Sequence, residues 1–145
     1  MPKNSQIEYH EIQTAGLIVI NNNKLLLAHS QNKQAWYLPG GKREGSETAI
    51  ESLRREITEE LQVHLSSLDL RYYVHISAPA FGETDNTIME QECFIGPANF
   101  PYSPSKEITA IRYFSFKEYL SQRPVVPGVV KVFEKLAYDG LITLS

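Results

Sequence analysis

The sequence predicts an α+β fold: a mainly antiparallel or mixed β-sheet, with one helix in the middle of the chain and another at its end. Three observations predict it. Five short apolar runs, bounded by turn residues, have the length of buried or half-buried strands. After Thr48 the apolar spacing changes to three and four residues, the period of a helix. That spacing returns after Pro127-Gly128. Helices on both faces would bury such a sheet.

Ala15 to Ile20 (AGLIVI) reads as a buried strand. Asn21-Asn22-Asn23 reads as a turn, because Asn tolerates left-handed backbone angles. Lys24 to His29 (KLLLAH) is then its hairpin partner. AWYLPGGKREGSE, with Pro39, Gly40, Gly41 and Gly45, reads as a loop. Thr48 opens a helix with the T-x-x-E pattern of a capping box, completed by Glu51. Ile50, Leu53, Ile57 and Leu61 form its apolar stripe. Leu70 to Ser77 and Ile88 to Ile95 are two further strands, joined by the polar loop PAFGETDN. Ile111 to Phe114 is a short strand, and Ser115 to Glu118 is a second capping box opening a short helix. The final helix is amphipathic through Val129, Val132, Phe133, Leu136 and Ala137, with Gly140 as its stop.

The 145 residues suit one domain, 1–145, with a core of its own, and an apolar content of 42% argues against a disordered chain. The net charge is −3, and no run of Lys and Arg forms a footprint for nucleic acid. Cys93 is the sole cysteine, so no internal disulfide forms, as befits a reducing compartment. The N-terminal MPKNSQIEYH lacks the apolar core of a signal peptide. The longest apolar runs fall far short of the roughly 20 residues of a membrane span. The expectation is a cytoplasmic protein with no membrane partner.

One stretch stands out chemically. Arg55-Glu56-Ile57-Thr58-Glu59-Glu60-Leu61 puts three carboxylates on one side of the predicted helix. Like charges at i, i+4 repel by a few tenths of a kcal/mol per pair. A solvated helix face, with Arg55 paired to Glu51 or Glu59, is the ordinary explanation. On a helical wheel, however, Glu56 and Glu60 lie beside the apolar stripe, with Glu59 further round. The preceding glycines let backbone carbonyls approach a ligand. Carboxylate, carbonyl and water oxygens together make a hard-cation site of the Mg²⁺ or Mn²⁺ type.

Gly41, Glu47 and the Arg55-to-Leu61 stretch, at their observed spacings, resemble the Nudix box, G-x5-E-x7-R-E-U-x-E-E-x-G-U, with Ile57 and Val63 at the bulky aliphatic positions. Gln62 stands where the pattern has its final Gly. The WYLPGG lead-in, the SKEITAIRYFSF segment and a C-terminal helix ending in DGLI extend the resemblance over most of the chain. The resemblance implies a Nudix-like α/β/α sandwich with a mixed β-sheet. It implies a nucleotide pyrophosphohydrolase, cleaving a nucleoside diphosphate linked to another moiety with Mg²⁺ or Mn²⁺. By the same resemblance, Glu56, Glu59 and Glu60 and the backbone carbonyl of Gly40 bind the metal. Arg55 and Glu47 orient the loop and helix, and Glu107 matches a distal metal ligand or general base. A small-molecule nucleotide is the expected partner rather than nucleic acid, and a homodimer is compatible with the family.

Other readings fit less well. Lys42 follows two glycines, but the remaining residues of a P-loop are missing. His10, His29, His64 and His75 have no zinc-like spacing among themselves or with Cys93. Trp36 and Tyr37 fit core packing better than base stacking, and Tyr72, Tyr73 and Phe81 offer no firmer case. A non-catalytic nucleotide-binding or regulatory module is the alternative from another class. Retention of Glu56, Glu59 and Glu60 favours the enzyme.

Overall fold

The structure is a computed structural model that describes residues 8–144. Most of the N-terminal segment without a signal-peptide core therefore lies outside the described residues. The chain forms strands β1 (His10–Ile18), β2 (Ile20–Asn21), β3 (Lys24–Ser30), β4 (Ala35–Tyr37) and β5 (Gly40–Lys42), then helix α1 (Ala49–Leu61). Strands β6 (Arg71–Pro79), β7 (Thr87–Ile95) and β8 (Ile108–Phe114) follow, then helices α2 (Phe116–Leu120) and α3 (Pro127–Tyr138). Among the described residues, no helix is long and apolar enough to cross a membrane.

Among the described residues, two four-stranded sheets result. The first, in order β5-β1-β7-β6, is mixed: β1 runs parallel to β7 and antiparallel to β5, and β6 is antiparallel to β7. The second is antiparallel, with β2 and β4 on one side of β3 and β8 on the other. The core has two halves. Leu53, Ile57 and Leu61 of α1 pack on Ala15, Leu17 and Phe94. Val129, Val132, Phe133 and Leu136 of α3 pack with Tyr119 of α2 on Ile18, Ile76 and Phe114. Helices thus cover both faces, as the amphipathic stripes require.

Three differences from the sequence reading have physical reasons. The AGLIVI run does not form one strand. It ends β1 at Ile18 and passes through Val19 to β2, so its residues serve both sheets. Asn22 and Asn23 do make the expected tight turn, at φ 52° and 63°, and β2 and β3 form the hairpin. The segment read as a loop contains β4 and β5, each of three residues. Strands so short, one of them Gly-Gly-Lys, carry no alternation of their own, and pairing with β3 and β1 determines them. Strand β8 begins three residues earlier than its apolar run, because Ile108 to Ala110 are held by pairing with β3.

Helix α1 starts as its sequence dictates. The Thr48 hydroxyl accepts from the Glu51 N–H at 3.2 Å, and the Glu51 carboxylate accepts from the Thr48 N–H at 2.9 Å. At the other end Gln62 adopts φ 59°, the left-handed C-cap conformation that glycine takes most readily. Its Nε2 donates to the carbonyls of Ser103 and Pro104 at 3.3 and 3.2 Å. The same loop donates the N–H of Ser103 to the Leu61 carbonyl and that of Ser105 to the Glu60 carbonyl. The departure from the pattern therefore keeps the backbone geometry and adds a tie to residues 103–105.

Candidate active site

A cleft of about 430 Å³ is lined by both sheets and by one flank of α1. Its lining includes Gly40, Glu56, Glu60 and Glu107, residues the sequence reading had assigned to chemistry. The helix repeat aligns Glu56 and Glu60 on the flank beside the buried stripe. Glu107 arrives by another route. The loop that caps α1 leads directly to it, and the Ser30 hydroxyl on β3 donates to its carboxylate at 2.5 Å.

Arg55 fastens the loop to the helix. Its Nε and Nη2 donate to the two oxygens of Glu47 at 2.7 and 3.1 Å, a bidentate pair. Nη2 also donates to the Lys42 carbonyl at 3.1 Å, and Nη1 reaches Glu56 at 3.1 Å and Glu59 at 3.5 Å. The guanidinium holds the Glu47 carboxyl below the usual carboxylate range, and the Arg55 pKa itself is raised, chiefly by the hydrogen bonds to Glu47. Gly41 makes room for this junction. A Cβ there would come within 2.6 Å of the Glu56 carboxyl carbon, so a side chain would displace Glu56.

The electrostatics of the carboxylates differ. Burial raises the pKa of Glu56, against the pull of Arg55. Glu60 is pushed up to about 8, first by burial and then by the charge on Glu56, against a hydrogen bond from the Gly40 N–H at 3.4 Å. Glu59 is the outlier. Its side chain is 47% exposed, and it does not line the cleft. The structure thus brings Glu56, Glu60, Glu107 and Gly40 together and leaves Glu59 on the solvent side of Arg55.

As donors, these groups fit a hard divalent cation. They are oxygens, they carry excess negative charge, and burial leaves Glu60 poorly compensated. Among the described residues, no three His, Cys, Asp or Glu side chains already converge in a metal-holding arrangement. The fit is one of donor type and charge.

Lys33 and Glu83 had no signal in the sequence, whereas Lys42, Tyr37 and Phe81, weighed there for other roles, also line the cleft. Lys33 and Lys42, which both line the cleft, face Glu83 at 2.9 and 3.4 Å. Tyr37 donates its hydroxyl to the Phe81 carbonyl at 3.2 Å, and the two rings lie 6.4 Å apart. These residues come from separate strands and loops, so no local spacing links them. Trp36 packs edge-on against Phe114 and His29 and does not line the cleft. Tyr73 donates to the Lys135 carbonyl and to Asp139, and Tyr72 donates to Glu92. The four histidines form no cluster, and His75 sits between Glu90 and Glu92.

A family model described as NUDIX domain matches residues 11–136. The solved MutT protein from Methanosarcina mazei Go1 superposes with a TM-score of 0.73 at 19% identity, over 93% of this chain and 99% of that one. A MutT NUDIX hydrolase from Burkholderia pseudomallei gives 0.67 at 16% identity, over 87% and 97%. A bifunctional NMN adenylyltransferase/ADP ribose pyrophosphatase from Francisella tularensis gives 0.65 at 16% identity, over 94% of this chain and 43% of that one. At these identities the likeness concerns the fold. No curated protein matches the chain with significance.

Proposed function

The chain belongs to the NUDIX domain family, and from that premise we propose that it hydrolyses the pyrophosphate linkage of a nucleoside diphosphate joined to another moiety. The observation that carries this reading is the pair Glu56 and Glu60. They are two carboxylates of one helix flank lining the same cleft within the matched motif, Glu56 held by Arg55 and Glu60 by the Gly40 N–H, and both have raised pKa values. The Francisella protein, whose name includes an ADP-ribose pyrophosphatase activity, belongs to the same reaction class.

The reaction transfers a phosphoryl group to water. Water forms a new P–O bond, the bridging P–O bond breaks, and two phosphate monoesters or a phosphate and a diphosphate leave. Mg²⁺ or Mn²⁺ would supply charge neutralisation at the phosphate oxygens and lower the pKa of the attacking water. In this reading Glu56, Glu59 and Glu60, with the Gly40 carbonyl, would hold the cation. Arg55 keeps the helix and the Gly40-Gly41 loop in fixed relation through Glu47 and the Lys42 carbonyl. Glu107 accepts a proton from water or supplies a further ligand, supported by its position in the cleft and its hydrogen bond from Ser30.

The test is a panel of nucleoside triphosphates, nucleoside diphosphate sugars, ADP-ribose and dinucleoside polyphosphates, assayed for products with Mg²⁺, with Mn²⁺ and with EDTA. Metal-dependent release of a nucleotide product is expected. Nucleotide binding without turnover on any substrate would instead identify a binding module.

A further inference from the structure

Gln91 lies on β7, in the middle of the mixed sheet, with Thr14 of β1 beside it on one side and Ile76 of β6 on the other. It is 8% exposed and lines the cleft. Its Oε1 accepts only a long S–H contact from Cys93, at 3.6 Å. Its Nε2 has no acceptor among the described residues, yet no fully buried side-chain nitrogen or oxygen there lacks a partner. The unspent amide donor therefore faces the space of the cleft.

The neighbourhood is shaped for this amide. A Cβ on Gly16 would meet the Gln91 amide carbon at 2.9 Å and its nitrogen at 3.0 Å, so the missing side chain at 16 creates the recess. Leu38 borders the same recess at Gly16, and the cleft that Gln91 lines is further lined by apolar Met89 and Val126 and by the rings of Tyr37 and Phe81. A buried amide in a cleft lined by apolar and aromatic side chains is complementary to a flat ring with a donor and an acceptor side by side on its edge.

The sheet register adds a scale. Thr14 pairs with Lys42 on one side and with Gln91 on the other, so the three residues lie on one line across β5, β1 and β7. Two strand spacings, about 10 Å, separate the backbones of Lys42 and Gln91. That span suits a ribose and its first phosphates, with the ring at Gln91 and the phosphate chain towards Lys42, Glu56 and Glu60.

We infer that Gln91 reads the edge of a nucleobase held in this cleft, an inference that rests on the nucleotide reading proposed above. Leaving a buried hydrogen-bonding group unpaired is unfavourable, so bases that match the carboxamide are retained and bases that do not are rejected.

The experiment measures binding of AMP, GMP, CMP and UMP by calorimetry, with ribose 5-phosphate as the base-free probe. The proteins are the full wild-type chain, Gln91→Met, Gln91→Glu and Gly16→Ala. The wild type is expected to prefer one base class by at least about tenfold. Gln91→Met should lose that preference while binding ribose 5-phosphate as before. Gln91→Glu, which exchanges the donor for an acceptor, should reorder the bases. Gly16→Ala, which fills the recess from the other side, should blunt the preference if either Gln91 variant fails to fold. Unchanged base order and affinity in Gln91→Met, or equal wild-type affinity for all four nucleotides and ribose 5-phosphate, would overturn the inference. Absence of hydrolysis with these binding differences intact would refute the hydrolase reading alone.

Discussion

Replacing Glu60 with Gln separates the burial of a charge from its use. Glu60 titrates near 8 rather than near 4.5, because it is buried and faces Glu56. A folded-state pKa above the unfolded one gives stability that is complete below about pH 4.5 and is lost as pH rises through about 8. At roughly 1.4 kcal/mol per unit, ionising Glu60 in the unfolded chain alone lowers metal-free stability by up to about 3 kcal/mol at pH 7. This is an upper limit, since Glu60 lines the open cleft and is not fully buried. Gln carries no charge and still accepts from the Gly40 N–H, a weak bond at 3.4 Å. Metal-free Glu60→Gln should therefore match the wild type near pH 4 and exceed its stability increasingly up to pH 8. Urea unfolding in EDTA at several pH values measures this. Turnover with Mg²⁺ should fall about 100-fold, equivalent to roughly 3 kcal/mol of transition-state stabilisation. Parallel pH–stability curves for the two proteins would refute the burial argument. Undiminished turnover would refute the assignment of Glu60 to the metal.

Millimolar Mg²⁺ should raise the melting temperature over EDTA, by an amount equivalent to roughly 2.7 kcal/mol at 100 times the dissociation constant, and the gain should shrink in Glu60→Gln. Arg55→Lys should destabilise by about 2 kcal/mol in urea titration, because one ammonium cannot replace the fork that joins Glu47 and the Lys42 carbonyl. Gln62→Gly should leave stability within about 0.5 kcal/mol by the same assay, relief of the left-handed backbone offsetting the lost bonds to Ser103 and Pro104. His75, hydrogen-bonded to Glu90 and then to Glu92, should titrate above 6.5 by NMR. Its contribution to stability should be complete below pH 6.5 and disappear as pH passes through the raised value, a dependence absent from His75→Asn.

What could be read from the sequence was what neighbours in the chain decide. The caps at Thr48 and Ser115, the Asn22-Asn23 turn and the α1 stripe are local, and all stand as expected. The flanking position of Glu56 and Glu60 follows from helix period alone, and so does the separation of Glu59. β4 and β5 were missed because pairing, not composition, makes them strands. Gln62 was read as a departure from the pattern. Its compensation comes from Ser103 and Pro104, about 40 residues away, which no local pattern reports. The opposite end of the cleft was equally hidden. Gln91 is one polar residue in a strand, and its meaning depends on Gly16, 75 positions earlier.

The parallel pairing of β1 with β7 has a kinetic consequence. Every partner lies 77 positions further along, from His10 with Thr87 to Ile18 with Ile95. Closing so long a loop is entropically slow compared with forming α1 or the β2–β3 hairpin. During folding, the carboxylates of α1 can assemble on their helix before any floor exists beneath them. A nascent chain that has reached residue 86 already contains Glu56, Glu59 and Glu60 but has no β7 against which β1 can pair. The charged edge of the cleft is thus encoded early and locally. Its base is completed late, when the chain returns to lie alongside its own first strand.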